Sequence, residues 1–246
     1  MMGIFKIKAD KLEWIGGAAD DPQDLCLHGH VTAQFGDTVL EDDGTVSATA
    51  LYLLKTLTED KVMAYKDIQM IPCCGHFLIA NENMTEVFIS GCDNGTDWST
   101  IHEGDLVRLV LPSGQEEVVS LRDYQYEVLD FAKKVKRFYD ACTPKEIPED
   151  EFERNGYTAF WNEWHRRYNE GLMLLSLEMG REMELSHDGL HYFVSHKGID
   201  VEWSLYCEES KELQTYPGQT AFYENAHFSN KLLRDEIANI EFDAIL

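Results

Sequence analysis

Positive charge is in short supply in this sequence. Across 246 residues, 21 Lys and Arg face 45 Asp and Glu, a formal net charge of −24 at pH 7. The excess acid is spread along the chain, 13 over residues 1–120 and 11 over residues 121–246, with no acidic tail. Such a chain repels phosphate backbones, which excludes ordinary nucleic-acid binding, and it attracts basic proteins at low salt. Long apolar runs are also missing. No stretch approaches the ~18 apolar residues of a membrane span. MMGIFKIKADKLEW has no apolar segment of the signal-peptide kind, and MGIFKI lacks the Ser or Thr of a myristoylation signal. Neither membrane nor nucleic acid is therefore an expected partner.

Cysteine is scarce as well. Six cysteines in 246 residues do not make a disulfide scaffold. The expectation is free thiols in a reducing cytoplasm. Diagnostic motifs are absent: there is no Walker loop, GxGxxG, GxSxG, HExxH or paired CxxC. Nucleotide, α/β-hydrolase and zinc-protease chemistry lose their usual support. The length suits one large or two small domains that bury roughly 70–75% of the unfolded surface, so folding needs no metal.

The patterns that are present predict an α+β chain. Residues 3–8 and 11–15 read as a short opening hairpin. In LCLHGHVTAQF, a period of two places Leu25, Leu27, Val31, Ala33 and Phe35 on one strand face. Cys26, His28, His30, Thr32 and Gln34 take the other. EDDG reads as a turn before a buried helix, with Val46, Ala50, Leu53, Leu54 and Leu57 on one stripe. A meander follows: HFLIA and EVFIS, then DWSTIH, LVRLVL and EEVVSL. Leu121–Cys142 carries apolar residues at spacings of three and four and predicts a long helix. Its Lys and Arg residues lie late, where cations suit the helix dipole.

Residues 146–156, with a proline and an acidic run, read as a linker between domains 1–145 and 157–246. The first is an antiparallel β-meander with packed helices. The second is a helix with aromatic stripe Tyr157, Phe160, Trp161, Trp164 and Tyr168, then a smaller four-stranded antiparallel sheet, then a closing helix from about Phe228 to Phe242. Asp188–Gly189 is a two-residue hairpin signal.

Three clusters carry chemistry. His28 and His30 share a strand face, a workable bidentate grip on a metal. Cys74 and His76 share a face of the next strand, so zinc on His28, His30, Cys74 and His76 is the metal reading. No Glu follows the His-x-His pair as it does in cupin-type barrels, and alternation turns the adjacent Cys73 and Cys74 to opposite faces. Pro72 and Gly75 open that strand, with Phe77 and Ile79 on its core face. The third cluster is GCDNGTDWSTIHEGD, which gathers Asp93, Asp97, Glu103 and Asp105 around Trp98. Turn chemistry explains the same Asp and Gly residues. The function that these features favour is a non-catalytic, acidic cytoplasmic protein that binds a basic protein partner. An inhibitor of the immunity type paired with bacterial toxins fits, with Asp93, Asp97, Trp98, Glu103 and Asp105 at the contact and no cofactor. The alternative is a metal-dependent hydrolase using His28, His30 and His76.

Overall fold

Alternating apolar side chains build the first sheet. β1 (Phe5–Glu13), β2 (His28–Phe35) and β3 (Thr38–Thr45) pair antiparallel in that order. The computed structural model describes residues 3–63, 69–75 and 77–246. The expected opening hairpin is a single strand. β1 stays paired with β2 and shifts register between Asp10 and Glu13, where Lys11 takes a left-handed φ of 51°. The break in the pattern is thus a bulge. EDDG is not a turn but part of β3. The reversal comes earlier, at Gly36–Asp37, where Gly36 supplies the positive φ and Phe35 pairs with Thr38.

α1 (Val46–Lys55) is buried from Val46 through Leu54, as its apolar circumference predicts. β4 (Phe77–Ala80) and β5 (Val87–Ser90) form an antiparallel hairpin. β6 (Ser99–Glu103), β7 (Leu106–Val110) and β8 (Glu116–Ser120) form a three-stranded antiparallel sheet. The expected meander is therefore split over separate sheets. α2 (Leu121–Ala141) follows, its N-terminus capped by the Ser120 hydroxyl, which accepts from the Asp123 N–H at 3.1 Å. Phe5, Phe35, Trp98 and Tyr124 bring β1, β2, the residue just ahead of β6 and α2 together, with ring centroids 5.1–6.4 Å apart.

α3 (Glu151–Glu178) begins inside the expected linker. Asp150 accepts from the Glu153 N–H at 3.1 Å, so the acidic run nucleates a helix end instead of an open connection. The chain divides into two units, Met1–Trp164 and His165–Leu246, and the division falls within α3. Among the described residues no helix is long and apolar enough to cross a membrane.

In the second unit, β9 (Met183–His187), β10 (Leu190–Gly198), β11 (Glu202–Cys207) and β12 (Leu213–Tyr216) match the predicted strands. Asp188 and Gly189 take φ of 50° and 76°, the primed turn that their sequence favours. The segment expected as one closing helix is built otherwise. After α4 (Gly218–Asn225) come the two-residue strands β13 (His227–Phe228) and β14 (Lys231–Leu232), the short α5 (Leu233–Glu236), and β15 (Glu241–Ile245). β15 pairs with β9, giving five strands in the order β12-β11-β10-β9-β15. Ser229 sits at φ 55°, which breaks any helix, and Glu241, Asp243 and Ile245 face solvent with a period of two. Buried His187 bonds Glu236 at 3.0 Å and stacks on Phe228. Bonds from His187, then Lys231, push the Glu236 carboxyl down to about 2.

Gly156 shows how α3 meets the β4–β5 hairpin. A β-carbon there would lie 2.0 Å from the Leu78 carbonyl oxygen and 2.8 Å from its carbon. In an isolated helix Gly→Ala stabilises by about 1 kcal/mol. Here Gly156→Ala is expected to lower the midpoint of urea unfolding, because backbone must move. A raised midpoint would contradict the close approach.

Candidate functional site

Alternation delivers the predicted histidine pair. His28 and His30 line one cleft of about 440 Å³ with Glu13, Trp14, Asp43 and Cys73. Gly29 between them lets β1 come close, since a β-carbon would stand 2.9 Å from the Asp10 carbonyl oxygen. His30 Nδ1 lies 2.7 Å from Asp43 and Nε2 lies 3.6 Å from Glu41; His28 Nε2 lies 3.7 Å from Asp24. The Asp43 hydrogen bond, ahead of the burial that opposes it, raises the His30 pKa. His76, the third histidine of the predicted set, lies outside the described residues.

The thiols depart from expectation. Cys73 and Cys92 form a disulfide, so the expectation of free cysteines is corrected at these two positions. They sit 19 apart in sequence, just outside the two ends of the β4–β5 hairpin, and the bond closes its base. Cys26, Cys74, Cys142 and Cys207 are free. Cys26 is buried, donates to the Gly75 carbonyl at 3.3 Å, and has its thiol pushed up to about 12 by desolvation. That is a structural cysteine. Among the described residues, two groups of three ligand-type side chains bring their ligand atoms within 4.8 Å: Cys73, Cys74 and Cys92, and the exposed His191, Glu208 and Glu209. His28 and His30 belong to neither. In the second group His191 and Glu209 already satisfy each other at 2.7 Å.

The predicted acidic contact is only partly a surface. Trp98 is fully buried, packed on Phe5 and Phe35, and is corrected from a contact residue to a core residue. Asp97 points inward to Lys61 at 2.5 Å and accepts from the Met70 N–H at 2.9 Å, so its charge is spent internally. Glu103 is exposed and pairs with Arg108 at 2.6 Å. Asp105 lies exposed in the β6–β7 turn, and Asp93 lies exposed beside Cys92.

Phe77 and Ile79, expected on the core face of their strand, lie instead with Phe88 on an exposed apolar face of the β4–β5 hairpin. Phe77 is 64% exposed, Phe88 53% and Ile79 39%, while Leu78, Val87 and Ile89 are the buried members. The expected core face of β4 is thus inverted. Ile79 pairs across from Phe88, so the outward side chains form one patch. Side chains hold this short hairpin from one edge. The Val87 N–H donates to the buried Glu163 carboxylate at 2.8 Å, Lys55 donates to the Val87 carbonyl at 3.2 Å, and the Tyr52 hydroxyl donates to Ile89 at 3.3 Å. Lys55 also pairs with Glu163 at 3.1 Å. Phe77 borders a cleft of about 520 Å³ with Leu25, Phe152, Asp150 and Glu153. Glu149 and Glu151 are exposed alongside Asp150 and Glu153.

The chain matches no family model, no curated protein and no solved structure.

The His30–Asp43 pair gives a direct test. A raised folded pKa means that the pair's stabilisation is complete below about pH 6.5, the unperturbed value, and is lost as pH rises through the folded value. NMR titration should find the His30 ring titrating above 6.5, and Asp43→Asn should bring it down. A wild-type ring titrating at or below 6.5 would contradict the pairing.

Proposed function

We propose that the chain is a non-catalytic binding protein whose β4–β5 hairpin engages a basic protein partner of the inhibitor or immunity type. The observation that carries the reading is the patch of Phe77, Ile79 and Phe88 beside a cleft rimmed by Asp150 and Glu153. Large exposed aromatics gathered on one rigid element mark a contact site more often than chance exposure does. The acidic rim and the net charge of −24 select the partner's chemistry: an apolar side chain flanked by Lys and Arg. Asp93 lines a small groove with Phe88 and adds an acidic group beside that ring. Of the five residues first expected at the contact, Asp93 has this support. A cytoplasmic location is not part of the proposal, because Cys73 and Cys92 are paired and such bonds are rare in reducing compartments.

A metal-dependent hydrolase on His28, His30 and His76 is the second reading. One observation favours it: both described histidines line the same cleft, and Asp43 orients His30 as carboxylates orient metal-bound imidazoles.

The leading reading is tested by capture with two baits in parallel, wild type and Phe77→Asp/Phe88→Asp, at low and at moderate salt. A basic protein retained only by wild type is then purified and its affinity measured. The expected result is a loss of about tenfold or more in the double variant, and weaker binding as salt rises. Failure to recover any basic protein that distinguishes the baits, or equal affinity for both, would overturn it.

A further inference from the structure

Adjacent cysteines point to opposite faces where the chain is a strand. Cys73 and Cys74 lie between the bridge at Ile71 and the start of β4 at Phe77, and neither is in a strand. Alternation does not apply to them, and their sulfurs converge. With Cys92 they place three Sγ atoms within 4.8 Å of one another. All three residues are partly exposed. Close approach of the two segments depends on Gly91, where a β-carbon would stand 2.4 Å from the Cys74 carbonyl oxygen. The Cys92 N–H donates to Cys74 Sγ at 3.1 Å and ties the two segments together. A groove of about 210 Å³ lined by Cys74, Cys92 and Asp93 gives solvent a way in.

We propose that Cys73, Cys74 and Cys92, when reduced, form a trithiolate site for a soft divalent cation of the zinc type. Zinc–sulfur bonds of about 2.3 Å in a tetrahedron put sulfurs about 3.8 Å apart; all three lie within 4.8 Å, and the Cys73 and Cys92 sulfurs, held closer by their bond, separate to that distance once it is broken. A dithiol reductant opens the site. It supplies two electrons and two protons, the Cys73–Cys92 bond breaks, each sulfur takes one proton, and the reductant closes to its own disulfide. The cation then displaces the three thiol protons to solvent and leaves its fourth position to water. Oxidised, the cluster offers one thiol and holds no ion. The Cys73–Cys92 bond and the cation are therefore mutually exclusive fasteners for the base of the β4–β5 hairpin. This site shares Cys74 with the expected His28, His30, Cys74 and His76 set but uses none of its histidines, and it does not depend on the docking proposal.

The test is titration of the full chain with Co²⁺, after reduction by a phosphine that contributes no thiol. One equivalent should produce intense sulfur-to-cobalt charge transfer in the near ultraviolet and the visible bands of a tetrahedral ion, and Zn²⁺ should abolish both. The unreduced chain should give neither. Cys74→Ser, which leaves the disulfide pair intact, should weaken binding at least about tenfold. A Cys26→Ser/Cys142→Ser/Cys207→Ser variant should keep the spectrum, and its circular dichroism checks folding. No charge-transfer band in the reduced chain, an unchanged affinity in Cys74→Ser, or loss of the band in the folded triple variant would overturn the site.

Discussion

Glu163 carries no exposure to solvent in a chain that already has 24 surplus negative charges. An unpaired carboxylate in that position would be strongly unfavourable. It is held because the Val87 N–H donates to one oxygen and Lys55 approaches the other. The same contacts solve a second problem. A two-stranded hairpin is marginal by itself, and its edge exposes unpaired backbone. Glu163, Lys55 and Tyr52 satisfy the β5 edge from two helices, Gly156 lets α3 come against β4, and Cys73–Cys92 closes the base. With the hairpin fixed on one face by Leu78, Val87 and Ile89, its other face has to present Phe77, Ile79 and Phe88 to solvent.

Electrostatics then divides the acids into two kinds. Asp97 and Glu163 face inward, each paired with a lysine, and add nothing to the outer field. Glu149, Asp150, Glu151 and Glu153 remain exposed, and Asp150 and Glu153 line the cleft that Phe77 borders, where under the proposed function they would steer and select a basic partner. Asp150 also caps α3, so part of the rim is fixed by the start of the helix that anchors the hairpin.

How much of this was legible depended on whether the pattern had a period. His28 and His30 share a face because residues 25–35 alternate cleanly, and the backbone follows. FLIA and VFIS are apolar at nearly every position, so a period of two could not say which side is buried, and the face was inverted. β15 shows a readable alternation only once it is known to pair with β9, and the apolar Leu232, Ile237 and Ile240 just ahead of it invited a helix running on to Phe242. The Cys73–Cys92 bond left no local mark, since its partners are 19 residues apart and one of them adjoins a free thiol. Trp98 sat among acids in the sequence, and only the placement of Phe5 and Phe35 around it shows that it belongs to the core.

The central claim is that the exposed aromatic face rests on a hairpin held rigid by the buried carboxylate. Hydrogen–deuterium exchange on the free full chain reads this directly. The Val87 amide and the paired amides of β4 and β5 should exchange as slowly as those of the buried helix α1. Exchange as fast as at the exposed Ser113 in the β7–β8 turn would contradict the account.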